Sequence, residues 1–198
     1  YSWTNNLLSI LVMTLWVLMS WCLPSLLQAQ AQKSSAQDRR VDKAVLARVD
    51  SSVNPATYSY LEQAYVKSKQ IGADALVLQL NTPGGLVSVS RDIITLIGKS
   101  PIPTILWVGP VGSSATSAGA IIASSAHLIL MAEGTNIGAA TPVSTIGDIT
   151  DSDLRKKVVN DLTSLTHSLS EARGRSFKPF SLMISEAKSL TAKEAHQE

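Results

Sequence analysis

Two short apolar runs, each closed by glycine or proline, constrain this chain more than anything else in it. Residues 75–80 (ALVLQL) and 103–108 (PTILWV) carry Leu, Val and Ile almost without interruption. That is the pattern of strands buried on both faces of a parallel sheet, not the strict alternation of a half-exposed one. Between them Val89, Ile93, Leu96 and Ile97 recur at helical spacing, and Ser100-Pro101 stops the repeat. Two parallel strands joined in this way need a crossover helix. Upstream, 44–49 (AVLARV) fits a further strand. Asn54-Pro55 then reads as a helix cap and first position, with Tyr58, Leu61 and Tyr65 continuing to Gly72. Downstream, 127–131 (HLILM) reads as a fourth strand. The βαβαβαβ order predicts an α/β domain with a mostly parallel sheet and right-handed crossover helices.

Each buried run ends in a motif. Asn81-Thr82-Pro83-Gly84-Gly85 follows the first, and Gly112-Ser113-Ser114-Ala115-Thr116-Ser117-Ala118-Gly119 follows the second after a Gly109-Pro110 turn. Ligands and chemistry collect at the carboxyl ends of parallel strands, where loops diverge and helix N-termini supply unpaired N–H donors. Ser117 opens the apolar segment 118–123, so its hydroxyl stands beside such donors at the positive end of a helix dipole. Gly84 and Gly85 allow a positive φ and a backbone N–H turned into the site. The pair reads as a nucleophile beside an oxyanion hole. Taken singly, the motifs read as readily as a small-residue packing seam and a plain turn.

Together the two motifs resemble the ClpP/crotonase superfamily of serine peptidases. Within it they are similar to the NfeD group, membrane-associated ClpP-class proteases that act alongside stomatin-like proteins. The resemblance covers most of residues 44–198. It implies a layered α/β fold and peptide-bond hydrolysis through an acyl-enzyme, with Ser117 as nucleophile. The oxyanion donors it implies are the backbone N–H groups of Gly85, with Gly84 shaping the turn, and of Ala118. No metal or organic cofactor is required. Apolar segments of membrane proteins are the implied substrate, a stomatin-like protein the implied partner, and a homo-oligomer the implied assembly.

A serine hydroxyl needs a base within reach. ClpP peptidases proper place a histidine roughly 25 residues beyond the serine, yet this chain has none between His127 and His167. His127 sits in an apolar strand and reads as a hydrogen-bonded core or edge histidine. His167 falls on the solvent face of the next helix, and His196 in the tail. That helix, 152–173, carries Leu154, Val158, Leu162, Leu165 and Leu169 as one stripe and ends at Gly174. At 100° per residue Lys156 points away from the stripe, while Arg155 and Lys157 lie on its shoulders. Arginine cannot give up its proton, which leaves Lys157. The same three residues also read as a solvated basic patch. The NfeD resemblance places the dyad lysine at Lys157.

The N-terminal region predicts a different environment. Residues 7–27 are almost uninterruptedly apolar, and no charge precedes Lys33. Ala29-Gln30-Ala31 has the small-x-small form of a signal-peptidase site, so 1–31 reads as a signal peptide, with an uncleaved anchor as the alternative. Either puts a protease domain on the extracytoplasmic side of a membrane, periplasmic in a bacterium. The lone Cys22 follows Trp21, which argues against lipidation, and without further cysteines neither a disulfide framework nor a cysteine-based metal site is available. Residues 32–42 are polar and aperiodic and read as a linker to a domain over 43–198. The Gly-, Thr- and Ser-rich stretch 133–150 is long for a plain connection and reads as a lid near the site. Thr191 to Ala195 opens like a capped helix. The start at Tyr1 and the stop at Glu198 suggest a fragment at both ends.

Other function classes fare less well. Net charge is only +2, and the basic residues are scattered without interleaved aromatics, which gives no support to a nucleic-acid surface. A crotonase-like acyl-CoA enzyme would draw its acid and base from carboxylates, yet no Asp or Glu occurs from Lys99 to Met131. A non-enzymatic scaffold that binds a stomatin-like protein is the remaining alternative.

Overall fold

Parallel pairing of the apolar runs builds the frame. The computed structural model describes residues 40–143 and 152–198. The expected signal or anchor, most of the linker and the distal part of the expected lid lie outside the described residues. In chain order the elements are β1 (Ala44–Asp50), α1 (Pro55–Gln70), β2 (Ala75–Asn81), α2 (Val87–Lys99), β3 (Thr104–Val108), β4 (Ser114–Thr116) and α3 (Ala118–Ser125). There follow β5 (Leu128–Met131), β6 (Asn136–Gly138), α4 (Ser152–Ala172), α5 (Lys178–Ser185), β7 (Ser189–Thr191) and α6 (Ala192–Gln197). One sheet runs β1-β2-β3-β5, parallel throughout, with Val45 opposite Leu76, Leu76 opposite Thr104 and Ile105 opposite Leu128. The α/β class and the mostly parallel sheet are as the apolar runs predict.

The local signals hold where they rest on neighbouring residues. Asn54 caps α1 by accepting from Ala56 N at 2.9 Å and Thr57 N at 3.2 Å, with Pro55 behind it. Thr191 and Glu194 form a second capping box on α6. Gly174 takes φ +65° just beyond α4. Ile93 and Ile97 of α2, Leu61 of α1 and Leu78 and Leu106 of the central strands are wholly buried in one core. Every residue of α3 is buried, and the Ser124 and Ser125 hydroxyls donate to the Ile121 and Ile122 carbonyls at 2.7 Å, so burial leaves neither unpaired.

A second sheet, β4-β6-β7, is absent from the reading of the sequence. It overturns part of the lid. Thr135, Ile137 and Ala140 are buried, β6 pairs with β4 and β7, and Ala139 N and Ala140 N donate to Lys188 O and Met183 O at 2.9 and 2.8 Å. Residues 135–141 are therefore stitched into the domain. The stripe of α4 also needs correcting. Leu162 is fully buried and Val158, Leu165 and Leu169 are partly so, but Leu154 is half exposed while Thr166 and Ser170 are buried. Periodicity fixes which face turns inward and not how far along the helix its neighbours extend. Among the described residues no helix is long and apolar enough to cross a membrane.

Candidate functional site

The site forms where the two motifs meet. Thr82 N donates to Ser114 O at 2.7 Å and Thr116 N donates to Thr82 O at 3.0 Å, so the chain leaving β2 runs parallel to β4. A polar chain braces the same junction: Asn81 Nδ2 donates to Asp50 Oδ1 at 2.7 Å, Ser114 N to Asn81 Oδ1 at 3.0 Å, and Ser114 Oγ to Asn136 Oδ1 at 2.6 Å. These contacts carry the Pro-Gly-Gly turn to the foot of α3.

Ser117 stands between β4 and α3 with φ +52° and ψ −112°, a conformation that L-residues adopt only under strain. Its backbone is held on both sides. Ser117 N donates to Gly138 O at 2.9 Å, and its own carbonyl accepts from Ala120 N at 3.0 Å and Ile121 N at 3.2 Å. No side chain caps this helix, so among the described residues the N–H groups of Ala118 and Gly119 have no acceptor.

Gly84 lies directly against the serine. A side-chain carbon built on it would sit 2.9 Å from Ser117 Cβ and 3.2 Å from Ser117 Oγ, closer than such atoms pack, so only glycine fits. Gly85 is confined differently. Its φ is +155°, and a carbon built there would strike Val53 O at 2.1 Å. Val53 N donates to Gly84 O at 2.8 Å and Leu86 N donates to Val53 O at 3.0 Å, while the N–H of Gly85 has no acceptor among the described residues.

The far end of α3 has its own anchor. Arg173 Nε donates to Ser125 O at 2.9 Å, and Arg175 Nη2 donates to Ala126 O at 2.6 Å and His127 O at 3.2 Å. Two guanidinium groups thus meet the carbonyls at and just beyond the negative end of the helix that presents Ser117. Burial, with Arg173 nearby, lowers the Arg175 pKa from its usual value, though a guanidinium remains charged. Sequence reasoning missed this pair, and missed Gly138. No local pattern marks either, because each acts on a segment distant in the chain.

Ser117, Gly84, Gly85 and Ala118 are brought together. Lys157 is exposed on α4, and among the described residues its side-chain amine forms no hydrogen bond or ion pair with them or with any other group. Lys156 is exposed too and stands 3.6 Å from Asp153. The histidines lie elsewhere. His127 Nδ1 accepts from Thr104 N at 3.0 Å, at the amino end of the parallel strands and the opposite end from Gly84. His167 stacks on Phe177 with ring centroids 3.9 Å apart, so it is packed on one side rather than fully solvated, and His196 is exposed. A groove of about 1140 Å³ runs along β5 to α5 and α6, and none of the five predicted site residues lines it. Among the described residues no cluster of His, Cys, Asp and Glu could hold a metal ion.

Comparison with known proteins gives a consistent picture. The profile of the NfeD1b N-terminal domain matches residues 44–197. The membrane-bound protease PH1510 of Pyrococcus horikoshii is 35% identical over 153 residues, which is 76% of this chain and 34% of that protein. This chain thus spans about a third of that relative's length. Among solved structures, the 1510-N membrane-bound stomatin-specific protease in a serine-to-alanine form aligns with a TM-score of 0.73 at 32% identity, over 80% of this chain and 77% of that one. Its lysine-to-alanine form, in complex with a substrate peptide, aligns with a TM-score of 0.72 at 31% identity, over 80% and 73%. ClpP1 from Listeria monocytogenes shares the fold, with a TM-score of 0.60 at 17% identity over 78% of this chain and 85% of that one.

Proposed function

This chain belongs to the NfeD1b N-terminal domain family, and from that premise we propose that it is a serine endopeptidase with a Ser117–Lys157 dyad. The observation that supports the reading is the contact of Ser117 with Gly84, whose chain neighbour Gly85, like Ala118 after the serine, has a backbone N–H with no acceptor among the described residues. Two such donors, fixed before substrate arrives, are what a developing oxyanion requires. The solved relative supports the two residue types, since it was captured once without a serine and once without a lysine.

The reaction balances without a cofactor. Ser117 Oγ forms a bond to the substrate carbonyl carbon as its proton passes to the side-chain nitrogen of Lys157. Gly85 N–H and Ala118 N–H hold the resulting oxyanion. The carbon–nitrogen bond then breaks, and the lysine returns the proton to the departing amine. Water repeats the sequence on the acyl-serine and frees the acid and the hydroxyl. Arginine at 155 cannot serve as the base, and Lys156 is engaged with Asp153. Apolar segments of membrane-associated proteins are the proposed substrates, a stomatin-like protein the proposed partner, and a homo-oligomer on the extracytoplasmic side the proposed assembly. These extensions rest on relatives that are membrane-bound and, in one case, stomatin-specific.

The exposure of Lys157 favours a second reading, a scaffold that binds the same partner without turnover. Labelling of the full-length protein with a fluorophosphonate separates the two. A protease is modified at Ser117 and a Ser117→Ala variant is not; equal labelling of both proteins, or of neither, selects the scaffold.

A further inference from the structure

We infer that Thr82 is the positioning residue of the oxyanion hole, orienting the Gly85 N–H through its hydroxyl. The inference rests on the proposed serine chemistry and adds to it a residue outside the dyad and outside the hole.

Thr82 is only 1% exposed, and each part of it is committed to one half of the site. Its hydroxyl donates to Gly84 O at 3.0 Å and accepts from Gly84 N at 3.2 Å. The Gly84 N–H is thereby occupied. It cannot serve as a donor to substrate, which leaves that task on this side to Gly85. The carbonyl of Gly84 and the N–H of Gly85 belong to the same peptide plane, and in a trans peptide they point in opposite directions. Thr82 Oγ1 and Val53 N both pull on that carbonyl, so the N–H of Gly85 is turned the other way, away from Thr82 and Val53. Glycine on both sides of a peptide leaves it free to rotate, and a buried partner is what selects one orientation.

The methyl group faces the other half. A carbon built on Gly119 would lie 2.7 Å from Thr82 Cγ2, so the first turn of α3 rests on Thr82 as closely as a glycine allows. The backbone of Thr82 completes the link by pairing with Ser114 and Thr116, immediately before Ser117. One side chain thus touches the peptide that presents Gly85 N–H and the turn that presents Ala118 N–H.

The test compares inactivation of the full-length protein by a diphenyl phosphonate of an apolar tripeptide. There Ser117 Oγ bonds to phosphorus as phenoxide leaves, and the phosphoryl oxygen occupies the hole. Thr82→Val is expected to lower the maximal inactivation rate by about tenfold to a hundredfold, as loss of hole geometry does, with the inhibitor constant within about twofold of wild type. Thr82→Ser, which keeps the hydroxyl, restores the rate to within about threefold, whereas Thr82→Cys, of similar size but with a weak sulfur partner, does not. The Ser and Cys variants both lack the methyl group and keep the comparison decisive if Thr82→Val fails to fold. Equal rates for Thr82→Ser and Thr82→Cys, or a loss confined to the inhibitor constant, would overturn the inference while leaving Ser117 as nucleophile. Reaction of Ser117→Ala at the wild-type rate would remove the serine reading, and this inference with it.

Discussion

Ser117 donates its backbone N–H to the carbonyl of Gly138 at 2.9 Å, so the residue at the head of α3 is held from the second sheet rather than the first. Gly138 itself is pressed against the chain near β7, where a side-chain carbon would meet Lys188 O at 2.3 Å. The strained φ of +52° at Ser117 is thus fixed by β6, by the carbonyl bonds to Ala120 and Ile121, and by the Gly84 contact together. Its own N–H is spent on Gly138, so in the proposed site the oxyanion donor on this side is the residue that follows.

If Ser117 and Lys157 act as one unit, Ser117→Ala and Lys157→Ala each remove nearly all hydrolysis, and the double variant loses little more. Lys156→Ala, which breaks only an exposed contact with Asp153, is expected to change kcat/KM by less than about threefold. His127→Gln stays active. Activity that survives Lys157→Ala but not His127→Gln would reverse the assignment.

The two glycines of the turn fail in different ways when substituted. Gly84→Ala crowds Ser117 Cβ and Oγ and is expected to abolish labelling at Ser117 while costing about 1–3 kcal/mol of stability. Gly85→Ala drives a methyl group into the Val53 backbone, which cannot swing aside as a side chain can. Its loss of stability exceeds that of Gly84→Ala. Denaturant titration of both variants measures the difference, and equal midpoints would count against the packing described here.

Arg175→Met removes the guanidinium donor from Ala126 O and His127 O, just beyond the end of α3. A hydrogen bond from a charged donor contributes about 1.5–3 kcal/mol. In a domain of this size that corresponds to a melting point lower by roughly 3–12 °C. Calorimetry reads it, and an unchanged melting point would show that the guanidinium does not anchor the helix.

The Tyr65 hydroxyl meets Thr104 Oγ1 at 2.5 Å, and burial pushes its pKa up from 10.0 to about 12. The folded state therefore holds this proton more tightly than the unfolded chain. The stability it contributes is complete below about pH 10, declines above that value and is lost as pH passes about 12. Tyr65→Phe should flatten the fall in stability across this window, by an amount on the order of 2 kcal/mol. Equilibrium unfolding of both proteins at pH 9 and at about pH 11 provides the check; parallel declines would refute the prediction.

What the sequence determined by itself is what rests on near neighbours. Apolar runs of five or six residues specify β2 and β3, the Asn54-Pro55 cap starts α1, Gly174 ends α4, and two glycine-bearing motifs stand at the ends of buried strands. Each depends on residues a few positions apart, so its signature is written in composition and spacing. Tertiary structure alone decided the rest. Ser114–Thr116 and Asn136–Gly138 are three-residue strands of mostly small or polar residues with no period to detect, and they exist because their backbone groups find partners far along the chain. The Gly138 bond to Ser117, the Arg175 bonds beyond α3 and the exposure of Leu154 and Lys157 have the same origin. A backbone carbonyl is the same in every residue, so which N–H or guanidinium it receives is settled only when the sheets and helices close around it.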